Sequence, residues 1–447
     1  MPFITNRFQA FFIFLIAGAS VLLFQIQDAS AQSANFGQKK MGAARDQNRL
    51  TPEERAAENQ KVLQAKNELA MRRMQEFGTL PAGDDSELGK AYLAAFNRFR
   101  EATVDLNQVQ INFHLATDFS QPFRNRINQE WRDKIHDSNV AKENWIKAAS
   151  EVYSSDPEKY VTLGETLCEM LLADVELDRM DGWLEAAKAI VNAKKLDREE
   201  VLVAAGLVAY ANSDFDFTEE CINRSQGQNG LPVVKPRYIA EIDSLRQKWV
   251  RELEFRRQEA EKNDNPRVEL LTSKGRMLVE LYEDAAPETV KSFIYLIEAG
   301  YFNRKTFFRV EKHVCAQTGC EKGDGTGNAG YTIANESERP DHRDHFRGSL
   351  AIALGADAKT GQVIPESGGA QFYFAFLPMP HLDGKHTVFG RVVEGQETMN
   401  FFRVMNLSDA EQRKDTSKNP DLILSAKVVR KRDTVYRPKV IAGKLYK

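Results

Sequence analysis

The feature that most constrains this chain is a change of pattern at Asn263-Asp264-Asn265-Pro266. Before it, apolar residues recur three or four apart over long stretches; after it, short apolar runs are separated by glycine turns. Val268–Thr272 and Arg276–Leu281 read as two strands turned by Ser273-Lys274-Gly275. Ala286-Pro287-Glu288-Thr289 starts a helix buried through Val290, Phe293, Leu296 and Ile297, and Gly300 stops it. Further short strands follow at Phe307–Val310, Val314–Gln317, Ser349–Leu354, Gln371–Leu377, Thr387–Val393 and Leu422–Val429. So many strands with so few helices predict a closed β-barrel rather than an open sheet.

The N-terminal half follows the other pattern. From Asp84 to about Ser225 the periodicity is helical, opening with Leu88, Tyr92, Phe96 and Phe99 on one face. Asp181-Gly182-Trp183 and Phe215-Asp216-Phe217 lie 34 residues apart, each between apolar helices. That period matches tetratricopeptide-like helix pairs, although two copies are fewer than such stacks need and the signature is incomplete. The glycines and prolines of 226–236 mark a hinge. From Tyr238 to Lys262 a charged helix carries Ile239, Ile242, Leu245, Trp249 and Leu253 on one face. It can pack on the helical half, pair with a second chain or act as a spacer, and its charge run reads as a solvated face.

A chain of 447 residues exceeds one compact core. Its formal charge of -3 gives no general attraction to nucleic acid or to an anionic membrane surface. Arg7, the apolar run Phe11–Phe24 and Ala29-Ser30-Ala31 have the order of a secretory signal cleaved before Gln32. The expected product is periplasmic or secreted, with no span after signal removal; an uncleaved inner-membrane anchor is the alternative. Cys168, Cys221, Cys315 and Cys320 suit either free thiols or disulfides, and their spacing gives no zinc set. The expected divisions are 1–31 signal, 32–83 tail and polar helix, 84–225 helical domain, 226–265 hinge and charged helix, 266–432 barrel and 433–447 tail.

The segments VELYEDAAPETVKSFIYLIEAGYFNRKTFFRV, AQTGCEKGDGTGNAGYTI and GGAQFYFAFLPMPHLDGKHTVFGRV, in that order, resemble the cyclophilin family of peptidyl-prolyl isomerases. The resemblance covers about 266–432 and implies an eight-stranded barrel closed by two helices, with a proline site on its outer face. It implies no cofactor and no metal. An X–Pro bond rotates through a barrier of about 18–20 kcal/mol because amide resonance stiffens it. No bond breaks, so the site needs an apolar hollow for the ring and a donor that draws the prolyl nitrogen lone pair out of resonance.

By similarity Arg309 is that donor, Gln317 meets the substrate backbone, and Gln371 holds both Arg309 and substrate. Val314, Tyr373 and Leu382 wall the hollow, Ala353 and Leu354 line the adjoining groove, His386 lies over the rim, and His381 is a further substrate-binding position. Several positions depart from the family pattern: Phe308 stands for His, Val314 for Phe, Leu354 for Asn, Tyr373 for Phe and His381 for Trp. Gly355–Gly369 is longer than the usual loop. The resemblance implies an exported isomerase acting on proline-containing polypeptides, with a helical half for partners, clients or self-association. A proline-binding scaffold with little turnover is the alternative. Two further motifs are weaker: Gly323–Gly327 lacks the phosphate-loop pattern and reads as a turn beside the pocket, and His342 and His345 read as a solvated loop.

Overall fold

The computed structural model describes residues 86–115, 120–196, 198–225, 240–357, 359–360, 362–407, 409 and 419–446. The signal, the 32–83 segment and the 226–236 hinge expected from sequence lie outside them. The chain divides into two compact units, Met1–Asp174 with Glu185–Asp197 and Val175–Leu184 with Arg198–Lys447. Val175–Leu184 and the stretch from Arg198 on fall in the same unit as residues 266–432.

In the first unit, helices α1 (Glu87–Leu115) and α2 (Gln121–Ser155) pack through aromatic residues at helical spacing. Tyr92, Phe96 and Phe99 surround Trp145, with ring centroids 6.5, 6.1 and 5.5 Å away. Leu88, expected on that face, is exposed. Helix α3 (Val161–Glu176) approaches α2 so closely that a Cβ on Gly164 would sit 2.4 Å from the Tyr153 ring. Trp183 immediately precedes α4 (Leu184–Ala193).

The second unit contains α5 (Glu199–Ala211), α6 (Phe215–Arg224), α7 (Ile242–Lys262) and the barrel. The barrel strands are β1 (Arg267–Thr272), β2 (Arg276–Leu281), β3 (Arg309–Glu311), β4 (Cys315–Thr318), β6 (Ser349–Ile352), β7 (Phe372–Ala375), β8 (Val388–Glu394), β9 (Met405–Asn406) and β10 (Ile423–Arg430). They form one sheet in the order β10-β1-β2-β8-β6-β7-β4-β3-β9. The start of β10 also meets the segment before β3: Thr306 bridges Leu422, and Phe307 N donates to Asp421 O at 2.8 Å. Helix α8 (Pro287–Glu298) buries Val290, Phe293, Ile294 and Ile297 in the barrel interior. The 433–446 segment, expected as a tail, is laid onto this unit. Its strand β11 (Ala442–Gly443) pairs with β5 (Tyr331–Thr332), and Tyr436 is buried.

Strand alternation sends side chains to two apolar clusters. Phe372, Phe374, Val310, Ala316, Leu350 and Ile352 point inward. Their strand neighbours Tyr373, Ala375, Cys315 and Ala351 form a smaller cluster on the outer face.

Two expectations about charge are corrected. The charged run of α7 is solvated only in part, at Glu254, Arg257 and Glu261, while Glu252 and Glu259 turn to the 339–347 loop, which is itself not a solvated loop. Arg343, with its side chain 1% exposed, donates twice to Glu252 at 2.7 Å and once to Glu259 at 2.5 Å. Its guanidinium lies 3.7 Å from the Tyr282 ring centroid. Arg251 donates to Asp344 at 2.5 Å, and Trp249 packs edge-on against Phe346 at 4.8 Å. Two runs of mixed charge with matching geometry neutralise each other here, and arginine can stack as well as pair. On the same helix, Leu253 is exposed although the sequence put it on the apolar face.

Candidate functional site

The site begins with one cross-strand row on the outer face of the barrel. Arg309 on β3 is in register with Gln317 on β4, Gln317 with Tyr373 on β7, and Tyr373 with Ala351 on β6. Because β3, β4, β7 and β6 are adjacent strands, residues far apart in sequence become neighbours on one surface.

Arg309 is oriented from two sides. Its Nε donates to Glu311 Oε1 at 2.9 Å, and Nη1 donates to Gln317 Oε1 at 3.5 Å. Its Nη2 has no partner among the described residues. Burial works against its charge, but the Glu311 hydrogen bond and nearby negative charge hold the guanidinium pKa above its ordinary value. Gln317 Nε2 donates to Gln371 Oε1 at 3.1 Å. Gln371 Nε2 in turn donates to the carbonyls of Gly325 and Gly327, each at 2.8 Å. The glycine-rich turn is therefore the clamp for Gln371. Cys320 Sγ holds that turn by accepting from Gly325 N and Gly327 N, both at 3.2 Å.

Beside this polar chain lies the apolar wall. Ala353 and Leu382 pack against the cluster containing Tyr373, Cys315 and Met379. The His386 ring meets the Tyr373 ring edge-on at 6.0 Å, and its Nδ1 lies 3.0 Å from Ile352 O. Burial depresses the His386 pKa, so the ring is neutral at pH 7. Burial also pushes the Cys315 thiol up to about 11 and the Tyr373 phenol well above its usual value. Neither is ionised at neutral pH. Val314 is exposed at the edge of the β3–β4 turn, and Phe308 is buried.

The structure thus brings together Arg309, Gln317, Gln371, Ala353, Tyr373, Leu382 and His386. Leu354 is directed otherwise, packing against the interior cluster. His381 lies on the 3-10 turn Pro380–Leu382, where its carbonyl accepts from Lys385 Nζ at 2.9 Å. The long 355–369 loop is tied to itself by an Ala356–Val363 bridge and a 2.7 Å bond from Gly355 N to Ser367 Oγ.

Several supporting residues escaped sequence reasoning. Glu311 could have been found from alternation, being two residues from Arg309 on the same strand. Asp178 carries no such signal, yet both its oxygens accept from His313 N at 3.0 Å and steady the turn that bears Val314. His345, 0% exposed, lies with Nε2 2.8 Å from the Tyr373 hydroxyl and Nδ1 2.8 Å from Asp383 Oδ1. Asp383 Oδ2 accepts from Lys248 Nζ on α7 at 2.6 Å. Only the pairing across the fold reveals these three.

Residues 267–428 match the family model described as cyclophilin type peptidyl-prolyl cis-trans isomerase/CLD. Peptidyl-prolyl cis-trans isomerase B of Bacillus subtilis is 41% identical over 128 residues, covering 29% of this chain and 83% of that protein. A peptidyl-prolyl cis-trans isomerase of Helicobacter pylori is 38% identical over 126 residues, covering 28% of this chain and 71% of its own length. One from Synechococcus elongatus is 35% identical over 161 residues, covering 36% and 94% respectively.

Proposed function

Because this chain belongs to the cyclophilin-type peptidyl-prolyl cis-trans isomerases, we propose that it accelerates X–Pro rotation in polypeptides by donation from Arg309 to the prolyl nitrogen. The observation that carries this reading is the oriented Arg309 fork. Glu311 and Gln317 fix two of its nitrogens, leaving Nη2 to donate beside the apolar cluster of Tyr373, Ala353 and Leu382. In the twisted transition state the prolyl nitrogen becomes pyramidal and regains its lone pair. A donor placed there stabilises that state more than either planar isomer. The hollow takes the proline ring, and Gln317 and Gln371 orient the flanking peptide. No proton need leave the enzyme, and no covalent intermediate forms.

Arg309→Ala tests the assignment. The expected result is a fall in kcat/KM for a succinyl-Ala-Ala-Pro-Phe anilide of about 100-fold or more, the cost of losing a transition-state donor. Peptide affinity should move far less. Isomerisation at the wild-type rate by the variant sinks the mechanism.

Val314 gives a specific reason to keep a second reading. An exposed valine at the rim supplies less wall than an aromatic ring, which suits a proline-binding scaffold with little turnover. Peptide binding without acceleration in the wild-type chain would favour it.

The same proposal places the enzyme outside the cytosol, where it would assist folding of exported chains. Support comes from Arg7, the apolar Phe11–Phe24 and the Ala29-Ser30-Ala31 sequence. N-terminal sequencing of the protein from its own host should begin at Gln32; an intact Met1 on membrane-bound protein would support the anchor instead.

A further inference from the structure

Building on the isomerase site, we propose that Lys248, on a helix outside the family-matched residues 267–428, is a positioning residue for the proline pocket. It acts through Asp383 and His345 on the ring of Tyr373.

The contacts form one uninterrupted chain. Lys248 Nζ donates to Asp383 Oδ2 at 2.6 Å. Asp383 Oδ1 accepts from the His345 backbone N–H at 2.9 Å and faces His345 Nδ1 at 2.8 Å. A carboxylate only accepts, so Nδ1 carries a hydrogen, and Nε2 on the far side of the ring makes a 2.8 Å hydrogen bond with the Tyr373 hydroxyl. The His345 and Tyr373 rings lie parallel, with a 5° interplanar angle. Tyr373 thus gives one side of its ring to the pocket cluster while its hydroxyl is held behind the wall. A buried phenol needs such a partner.

Lys248 matters because of what surrounds Asp383. The Asp383 side chain is 6% exposed, and Asp344, 3% exposed, lies 3.9 Å from the same Lys248 Nζ. Lys248 therefore sits between two carboxylates. Without it Asp344 keeps Arg251, but the buried Asp383 carboxylate is left with no lysine or arginine partner beside a like charge, and is drawn from His345 toward the open cleft. Asp383 also lies next to Leu382 and three residues before His386, so its displacement disturbs the same wall twice. Lys248 itself borders an open cleft of about 470 Å³, and replacing it removes no packed core.

The test measures dissociation constants of the proline anilide by titration, and KM and kcat by cis–trans relaxation, on the full chain. Variants are Lys248→Met, Lys248→Arg, Tyr373→Phe and Lys248→Met/Tyr373→Phe, with melting curves to check folding. Lys248→Met should raise Kd and KM about three- to tenfold, with kcat changed less than about twofold, and Lys248→Arg should restore affinity. In the Tyr373→Phe background, where the gripped hydroxyl is gone, the same lysine change should have a clearly smaller effect. An unchanged Kd in Lys248→Met overturns the proposal, as does an equal rise in both backgrounds. A wild-type chain that binds without turnover would defeat the isomerase reading alone, because the Kd cycle still decides the role of Lys248.

Discussion

The barrel interior and the seam under α7 are both buried, yet they are built by opposite means. The interior is nearly all hydrocarbon: Phe293 contacts Phe302, Phe372 and Phe389 at 5.0–5.1 Å between centroids. The seam buries Glu252, Arg343 and Asp344 at 4, 1 and 3% side-chain exposure. Hydrocarbon packing tolerates many partners of similar volume, whereas a buried ion needs its one matching counter-ion in place. The interior thus packs the barrel with hydrocarbon, and the seam ties α7 to the 339–347 loop through ion pairs.

That contrast can be broken at its strongest point first. Phe372→Ala removes a fully buried ring that touches Phe293, Phe302, Phe374 and Phe389. It should cost about 3–5 kcal/mol in denaturant unfolding. A loss below about 1 kcal/mol would mean that the interior collapses around the gap and is less rigid than its packing suggests.

Arg343→Met comes next, at about 3 kcal/mol, because it leaves the buried Glu252 with Arg256 alone and takes from Glu259 its Arg343 hydrogen bond. Replacing Arg343, Glu252 and Glu259 together by Met, Gln and Gln should recover much of that loss. No recovery would show that the arginine acts through its stacking on Tyr282 rather than through charge. The acid response gives an independent check. Burial opposes the charge of Glu252, but Arg343 and Arg256 hold its pKa below the ordinary 4.5. A carboxylate with a depressed folded pKa contributes stability that is present above its unfolded pKa and lost as pH falls through the folded value. The gap between wild type and Arg343→Met should therefore narrow as pH drops below 4.5.

Legibility followed the same division. The barrel was readable because period-two alternation and glycine turns state which side chains go inward, as at Phe372-Tyr373-Phe374. Arg309, Gln317 and Gln371 were readable through family motifs, and the register explains why they meet. The seam was not readable, since a run such as Arg251, Glu252, Arg256 and Glu259 has the same composition whether solvent or an opposing run covers it. Leu253 shows the converse, an apolar residue at the expected spacing left exposed. Asp178 and Lys248 were invisible for a related reason: their partners, at His313 and Asp383, are more than a hundred residues away.

The smallest expected effect sets the scale for the others. Arg276 makes the same kind of charged fork as Arg343, donating to Glu269 at 2.6 Å and Glu394 at 2.9 Å, but its side chain is 47% exposed. Water already solvates all three groups, so Arg276→Ala should cost no more than about 1 kcal/mol. Added salt should erase most of that cost, since exposed charges are screened at about 3 Å in 1 M salt. Arg343→Met should keep its cost in the same buffer, because Arg343 and Glu252 are only 1 and 4% exposed. If both variants respond alike to salt, the seam is open to solvent, and the α7 charges do not tie the helix to the 339–347 loop.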